Sequence, residues 1–184
     1  MVMSAALLIR EHGAQPTAMA DVIAHSGAPR GSAYHYFPGG RTQLICEAVD
    51  YAGNFISAKL ARGTSGADVL DALVADYSDL LVATDYRAGC PIVAVTVEAG
   101  DPQRNGPVLE HAAKAFRDWT EVITRRLIAD GMPNSRAEEL AILITASIEG
   151  AIVLCRALRD VTPLDVVHRR LRELLTDEAT PSQT

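Results

Sequence analysis

Cysteine is scarce: the 184-residue chain has three, Cys46, Cys90 and Cys155, widely spaced and odd in number. That usage excludes a disulfide-stapled fold and suits free thiols in a reducing cytosol. Metal chemistry lacks its spacing as well. The five histidines are scattered, with no His-x-x-x-His or Glu-x-x-His pair, so no metal site is expected. There is no Walker loop, dinucleotide fingerprint or nucleophile elbow. The Pro38-Gly39-Gly40-Arg41-Thr42 stretch lacks the Gly-Lys-Thr/Ser ending of a phosphate loop. Neither an enzyme nor a bound cofactor is expected. No uninterrupted apolar run reaches the ~18 residues of a membrane span, so no membrane partner is expected. The apolar start, Met1 to Arg10, has no basic flank or cleavage pattern and reads as a helix, not a signal peptide. Together these point to a cytoplasmic protein.

A basic surplus is also missing. The net charge of −6 runs against the usual footprint of a nucleic-acid-binding protein. The charge is uneven, however. Between Asp21 and Glu47 there is no acidic residue, while that window holds His25, Arg30, His35 and Arg41. A phosphate backbone needs only such a local patch.

What is present is helical periodicity almost throughout, with no sustained period-two alternation. The class is all-α, with about nine helices. The expected helices are Met1–His12, Thr17–His25, Pro29–Tyr36, Arg41–Ala61, Ala67–Thr84, Pro91 to about Gly100, Pro107–Ala129, one from a Ser135 cap to Arg159, and Pro163–Leu175. Gly13, Gly27, Pro38-Gly39-Gly40, Gly63 to Gly66, Asp101 to Gly106 and Gly131 to Asn134 punctuate them. Residues 1–46 form a small three-helix module, too small to stand firmly alone. Residues 47–176 form a larger helical domain, and 177–184 a polar tail.

Thr17 to Phe37 is helix, Gly27 turn, helix. Such a unit places its second helix in a DNA major groove. Arg30 supplies the cationic fork that reads guanine at the start of that helix. Gly31 lets the backbone come close. Ser32, Tyr34, His35 and Tyr36 can donate to phosphate or touch a thymine methyl. Thr17 is the expected cap of the first of the two helices, whose opening N–H groups can hold a phosphate. Three consecutive residues, Tyr34, His35 and Tyr36, span most of a helix circumference, so at least one faces out. Phe37 is expected in the core.

This block resembles the DNA-binding domain of the tetracycline-repressor (TetR) family of bacterial regulators, through Gly27, Ser32, Tyr34, His35, Tyr36, Phe37, Gly40, Arg41 and Leu44. Ala28 to Ser32, Phe37 to Gly40 and Gly89-Cys90-Pro91 resemble the subgroup related to lincomycin-resistance repressors. The resemblance implies a longer first helix preceded by a basic arm. Arg41 stands where Lys is usual, which keeps a charge near a phosphate with different geometry.

The resemblance implies an effector pocket among the fourth to seventh helices and a homodimer built by the eighth and ninth. The pocket candidates are Tyr77, Leu81, Val93, Val97, Phe116, Trp119, Ile123 and Leu143, each equally readable as core. Ala141 to Leu154 is apolar almost all round, which means burial on more than one side. The expected dimer interface comprises Ala146, Gly150, Ala151, Leu154 and Leu171. Glu149 reads as an ion-pair partner of Arg156 or as a counter-charge for a cationic effector. Cys90 reads as a buried thiol or a redox sensor. The expected function is a ligand-responsive repressor that leaves a double-stranded DNA operator when a small apolar or amphipathic effector binds. The alternative is a helical small-molecule binding protein that does not touch DNA.

Overall fold

The structure is a computed structural model. It describes the backbone of residues 1–100 and 102–177, and all their side chains except those of 102–104 and 177. The expected tail otherwise lies outside the described residues. Among these, nine α-helices and no strand occur: α1 Val2–His12, α2 Met19–Ser26, α3 Arg30–Tyr36, α4 Gly40–Leu60, α5 Gly66–Ala83, α6 Pro91–Glu98, α7 Pro102–Ala129, α8 Asn134–Leu158 and α9 Thr162–Asp177. The all-α reading holds.

Three boundaries depart from expectation. Thr17 does not cap α2. The N-cap is Ala18, whose N–H donates to the Asp21 carboxylate at 3.1 Å, while the Thr17 hydroxyl turns back to the Gly13 carbonyl at 2.7 Å. Helix α7 starts at Pro102, not Pro107, so much of the expected loop is helix. Pro102 has the fixed φ suited to a first turn, and Pro107 lies inside, where it removes one intrahelical hydrogen bond. Helix α8 is capped at Pro133, one residue before Asn134, rather than at Ser135.

The backbone divides into two compact units. One comprises Met1–Phe55 with Arg87–Phe116, the other Ile56–Tyr86 with Arg117–Thr184. Helices α4 and α7 are each continuous in sequence across this division.

In the first unit, α1 packs on α2 and α6, and α2 on α3. Val22 of α2 and Ala33 of α3 are wholly buried, each the inward residue of its short helix. Ile9, Leu44, Val49, Ile92 and Val95 are buried in the same unit, and Phe37 is buried as expected. Gly27 adopts φ 68° at the end of α2, a left-handed conformation that opens the three-residue turn to α3.

In the second unit, α9 packs on α8 and α5, and α5 on α8. Ile144, Ile148, Ala151 and Cys155 form the inner stripe of α8, and Leu164 and Leu171 that of α9. Asp71 ties α5 to α9 by accepting from His168 Nε2 at 2.7 Å and Arg172 Nη1 at 3.1 Å. Two left-handed residues, Asp85 and Tyr86, follow α5; Arg159, itself left-handed after α8, pairs with the Asp85 carboxylate and lies over the Tyr86 ring.

Taken whole, α8 is long and apolar enough to cross a membrane, although polar residues interrupt it. Its buried face packs within the chain, as the core helix of a folded protein does.

Candidate nucleic-acid interface and effector cleft

Helix α3 has seven residues, of which only Ala33 is buried. Arg30, Gly31, Tyr34, His35 and Tyr36 are exposed, and Ser32 is half-buried. Tyr34 and Tyr36 are 71% and 64% exposed, so both rings stand in solvent instead of filling the core. Arg30 occupies the first helical position. A Cβ at Gly31 would meet nothing in the chain, so the small residue leaves open space for something outside it. No acidic side chain interrupts the sequence from Val22 to Cys46. The His35 and Tyr36 rings meet edge-on at 5.3 Å, which orders two exposed groups relative to each other.

Two expected DNA contacts are placed differently. Thr17 is buried, with its hydroxyl spent on Gly13. Arg41, at the start of α4, aims its guanidinium at the loop between α1 and α2. Nε donates to the Thr17 carbonyl at 3.0 Å, and Nη2 to the carbonyls of Gln15 at 3.2 Å and Ala14. A planar fork suits several carbonyls at once, which a lysine ammonium does less well. Arg41 thus clamps the loop that leads into α2.

Gln43, two residues on, escaped sequence reading. Its Oε1 accepts from Gly39 N–H at 2.8 Å, and its Nε2 donates to Glu47 at 2.8 Å and to the Tyr36 carbonyl at 3.3 Å. It closes the turn that ends α3. An amide has both donor and acceptor for such a turn, but nothing in the sequence marks this one from other glutamines.

The second unit contains an apolar cleft. Ile56, Leu60, Leu73, Tyr77, Trp119, Ile123, Ile144, Thr145, Ile148 and Glu149 line it. Its internal space is about 20 Å³, close to what one water needs. Tyr77, Trp119 and Ile123 are the expected pocket residues that meet here. Leu81 is wholly buried but outside the lining, and Leu143 points to solvent, 45% exposed. Leu143 follows the outward face of α8 because Ile144 takes the inward one. Val93, Val97 and Phe116 belong to the first unit. There Val97 is 78% exposed, since Val95 holds the inward position of α6, and Val93 and Phe116 are half-buried. The chemistry of the cleft is apolar and aromatic, with the Glu149 carboxylate and the Tyr77 and Thr145 hydroxyls among its lining residues.

A larger cavity, about 210 Å³, lies in the first unit, bounded by Ala14, Gln15, Arg41, Ile45, Val95, Glu98, Ala99, Asn105 and Val108. Sequence reading did not find it, since its walls come from segments far apart in the chain.

The outer face of α8 is exposed at Leu143, Ala146, Gly150 and Leu154, with Ile142, Val153 and Leu158 beside them. Ala151 and Leu171, also expected at a dimer interface, instead face the chain's own core, 1% and 3% exposed. Positions 144, 148, 151 and 155 make one helical stripe inward, and 143, 146, 150 and 154 another outward. A Cβ at Gly150 would meet nothing in the chain.

The cysteines are all buried. Burial raises the Cys46 thiol pKa, with Asp50 adding to it, and burial likewise raises that of Cys155. No metal-holding group of His, Cys, Asp and Glu occurs among the described residues.

Residues 3–48 match the profile of bacterial regulatory proteins of the tetR family. Residues 66–170 match that of the C-terminal domain of LmrA/YxaF-like transcriptional regulators. The chain is 60% identical over 181 residues to the uncharacterized HTH-type transcriptional regulator Rv0196 of Mycobacterium tuberculosis, covering 97% of this chain and 93% of that one. It is 31% identical over 179 residues to the HTH-type transcriptional regulator LmrA of Bacillus subtilis, covering 95% and 94%. The fold matches a TetR transcriptional regulator from Legionella pneumophila with TM-score 0.79 at 19% identity, covering 94% of each chain. The exposed short helix with its acid-free approach, and these matches over nearly its whole length, establish that the chain belongs to the TetR family of DNA-binding transcriptional regulators, in its LmrA-like subgroup.

Proposed function

We propose that this regulator is a cytoplasmic, homodimeric repressor without catalytic activity, released from its DNA operator by a small apolar or amphipathic effector. Family members bind DNA operators, act as dimers and take small-molecule effectors. Residues 1–46 serve as the DNA-binding module and 47–176 as the effector-binding and dimerisation domain.

The observation that carries effector binding is the cleft of the second unit. Two aromatic side chains, Tyr77 and Trp119, line it among aliphatic ones, with Thr145 and Glu149 as polar points. A site that is apolar with few polar groups is the usual make-up of a small-molecule pocket. Its present space is far below the ~300 Å³ that a drug-sized ligand needs. An effector of that size therefore needs the lining helices to part. An effector that prefers the parted form shifts the population toward it. In a dimer whose half-sites lie ~34–36 Å apart, a change of spacing is enough to lose the operator.

Arg30 is assigned to base recognition, and Gly31, Ser32, Tyr34, His35 and Tyr36 to backbone and methyl contacts. The dimer seat is assigned to the outward stripe Leu143, Ala146, Gly150 and Leu154. An exposed apolar row of this kind is disfavoured in water unless covered. Trp119 offers the test. A library of amphipathic compounds is titrated while its fluorescence is followed, and the same compounds are added to protein bound to a selected duplex. The reading predicts that quenching compounds also release DNA. If quenching compounds leave the duplex bound, the cleft is not the inducer site.

A further inference from the structure

We propose that Glu98, the last residue of α6, is a positioning residue for DNA binding. It holds the loop between α1 and α2 from one side while Arg41 holds it from the other.

The loop runs from Gly13 to Ala18 and sets where α2 begins. Glu98 grips it at Gln15 by two bonds. The Gln15 backbone N–H donates to Glu98 Oε2 at 2.6 Å, and its side-chain Nε2 to the Glu98 carbonyl at 3.3 Å. The first is charge-assisted and short, hence among the stronger kinds of hydrogen bond. The carbonyl of that same peptide group, which belongs to Ala14, points the opposite way and accepts from Arg41. One peptide is thus held between a carboxylate and a guanidinium that come from different helices, far away in sequence.

Gly13 supplies an independent sign that the carboxylate is seated on the loop. It adopts φ +91°, and a Cβ there would collide with the Glu98 carboxylate. The backbone at Gly13 therefore leaves the space that Glu98 fills. Packing of α1 on α6, and the bond from Gly89 N–H to the Arg10 carbonyl, anchor the start of α6 to the end of α1. Glu98 anchors the other end of α6 to the loop. Since α3 packs on α2, a loosened loop spreads the orientations of Arg30 and weakens base readout.

The grip differs from a general stabilising contact because the groups involved lie near water. Once Glu98 is gone, the Gln15 N–H is solvated, so the fold loses little. The orientation of α2 loses more.

The test uses the full chain and a duplex that the wild-type protein enriches from a random-sequence library. Glu98→Ala is expected to bind this duplex about tenfold more weakly, a difference of about 1.4 kcal/mol. Its melting temperature and its binding to mixed-sequence DNA at matched salt stay near wild type. Glu98→Gln, whose amide oxygen still accepts, is expected to restore binding. Glu121→Ala, a surface carboxylate on α7, serves as control. Amide hydrogen exchange gives a readout that needs no DNA: Gln15 N–H is protected in wild type and Glu98→Gln, and fast in Glu98→Ala. If Glu98→Ala keeps wild-type duplex affinity, or Glu98→Gln falls with it, the proposal is overturned. It is also overturned if Gln15 exchange is unchanged. A wild-type chain that enriches no duplex would count against operator binding itself, and the exchange result would still decide the grip.

Discussion

Replacing Arg41 with alanine separates a loop clamp from a phosphate contact. The guanidinium makes three hydrogen bonds, to the carbonyls of Ala14, Gln15 and Thr17. A hydrogen bond from a charged donor contributes ~1.5–3 kcal/mol when sheltered. Arg41 is exposed and so is its bond to Gln15, while its bonds to the buried residues Ala14 and Thr17 are only partly sheltered. Discounting each bond to ~0.5–1 kcal/mol gives a loss of about 2 kcal/mol in folding stability. For a chain of this size about 1 kcal/mol lowers Tm by ~2–4 °C, so a fall of ~4–8 °C is expected. The assay pairs thermal unfolding with DNA binding across a salt series. A lost phosphate contact lowers the slope of log K against log salt by about 0.9, whereas a lost clamp leaves the slope unchanged. Arg41→Lys is expected to fall between wild type and alanine in stability, since one ammonium serves fewer carbonyls. A slope reduced by about one, with Tm unaltered, would refute the clamp.

Four further outcomes follow from the placements above. Arg30→Ala is expected to relax specificity at one base position by ~1–3 kcal/mol, measured by binding to single-base variants of a selected duplex. Tyr36→Phe should weaken binding evenly over all sequences, because a phosphate contact carries no sequence information. Leu154→Glu, on the outward face of α8, is expected to yield monomer in analytical ultracentrifugation with helical content preserved; an unchanged sedimentation coefficient would remove the dimer seat. The Thr64 hydroxyl, and that of Ser65, hold the Asp68 carboxyl below its ordinary value at the start of α5. Its contribution is therefore complete above the unfolded carboxylate pKa and is lost as pH falls through the lower folded one. Asp68→Asn should flatten the acid limb of a stability profile in that range.

The recognition helix was legible in the sequence because its signals are local. Gly27, Pro29, the unbroken Tyr34 to Tyr36 run and the acid-free window lie within one short segment, and burial of Ala33 and Phe37 leaves the rest outside. The loop contacts of Arg41 were not legible for the complementary reason. Its charge is visible in the sequence, but the three carbonyls that use it become a cluster only when the loop folds back on α4. Thr17 has the same history, since a hydroxyl that can cap the next helix can equally donate to Gly13. In α8, composition announced burial on more than one side without saying which residue faces which. A rotation of 100° per residue separates Leu143 from Ile144 and Gly150 from Ala151. For the same reason only some of the expected pocket residues come together: Tyr77, Trp119 and Ile123 line one cleft, while Val97 and Leu143 turn to solvent.

By itself, then, the sequence determined the helical class, the position of the helix-turn-helix and the family resemblance, because these rest on periodicity, turn residues and spacing along the chain. The tertiary structure alone decided that Arg41 and Glu98 grip one loop from opposite sides, that Gln43 closes the turn after α3, and which face of α8 is buried and which is exposed. Those outcomes depend on which groups come within hydrogen-bond reach across tens of residues, and no local pattern encodes such a distance.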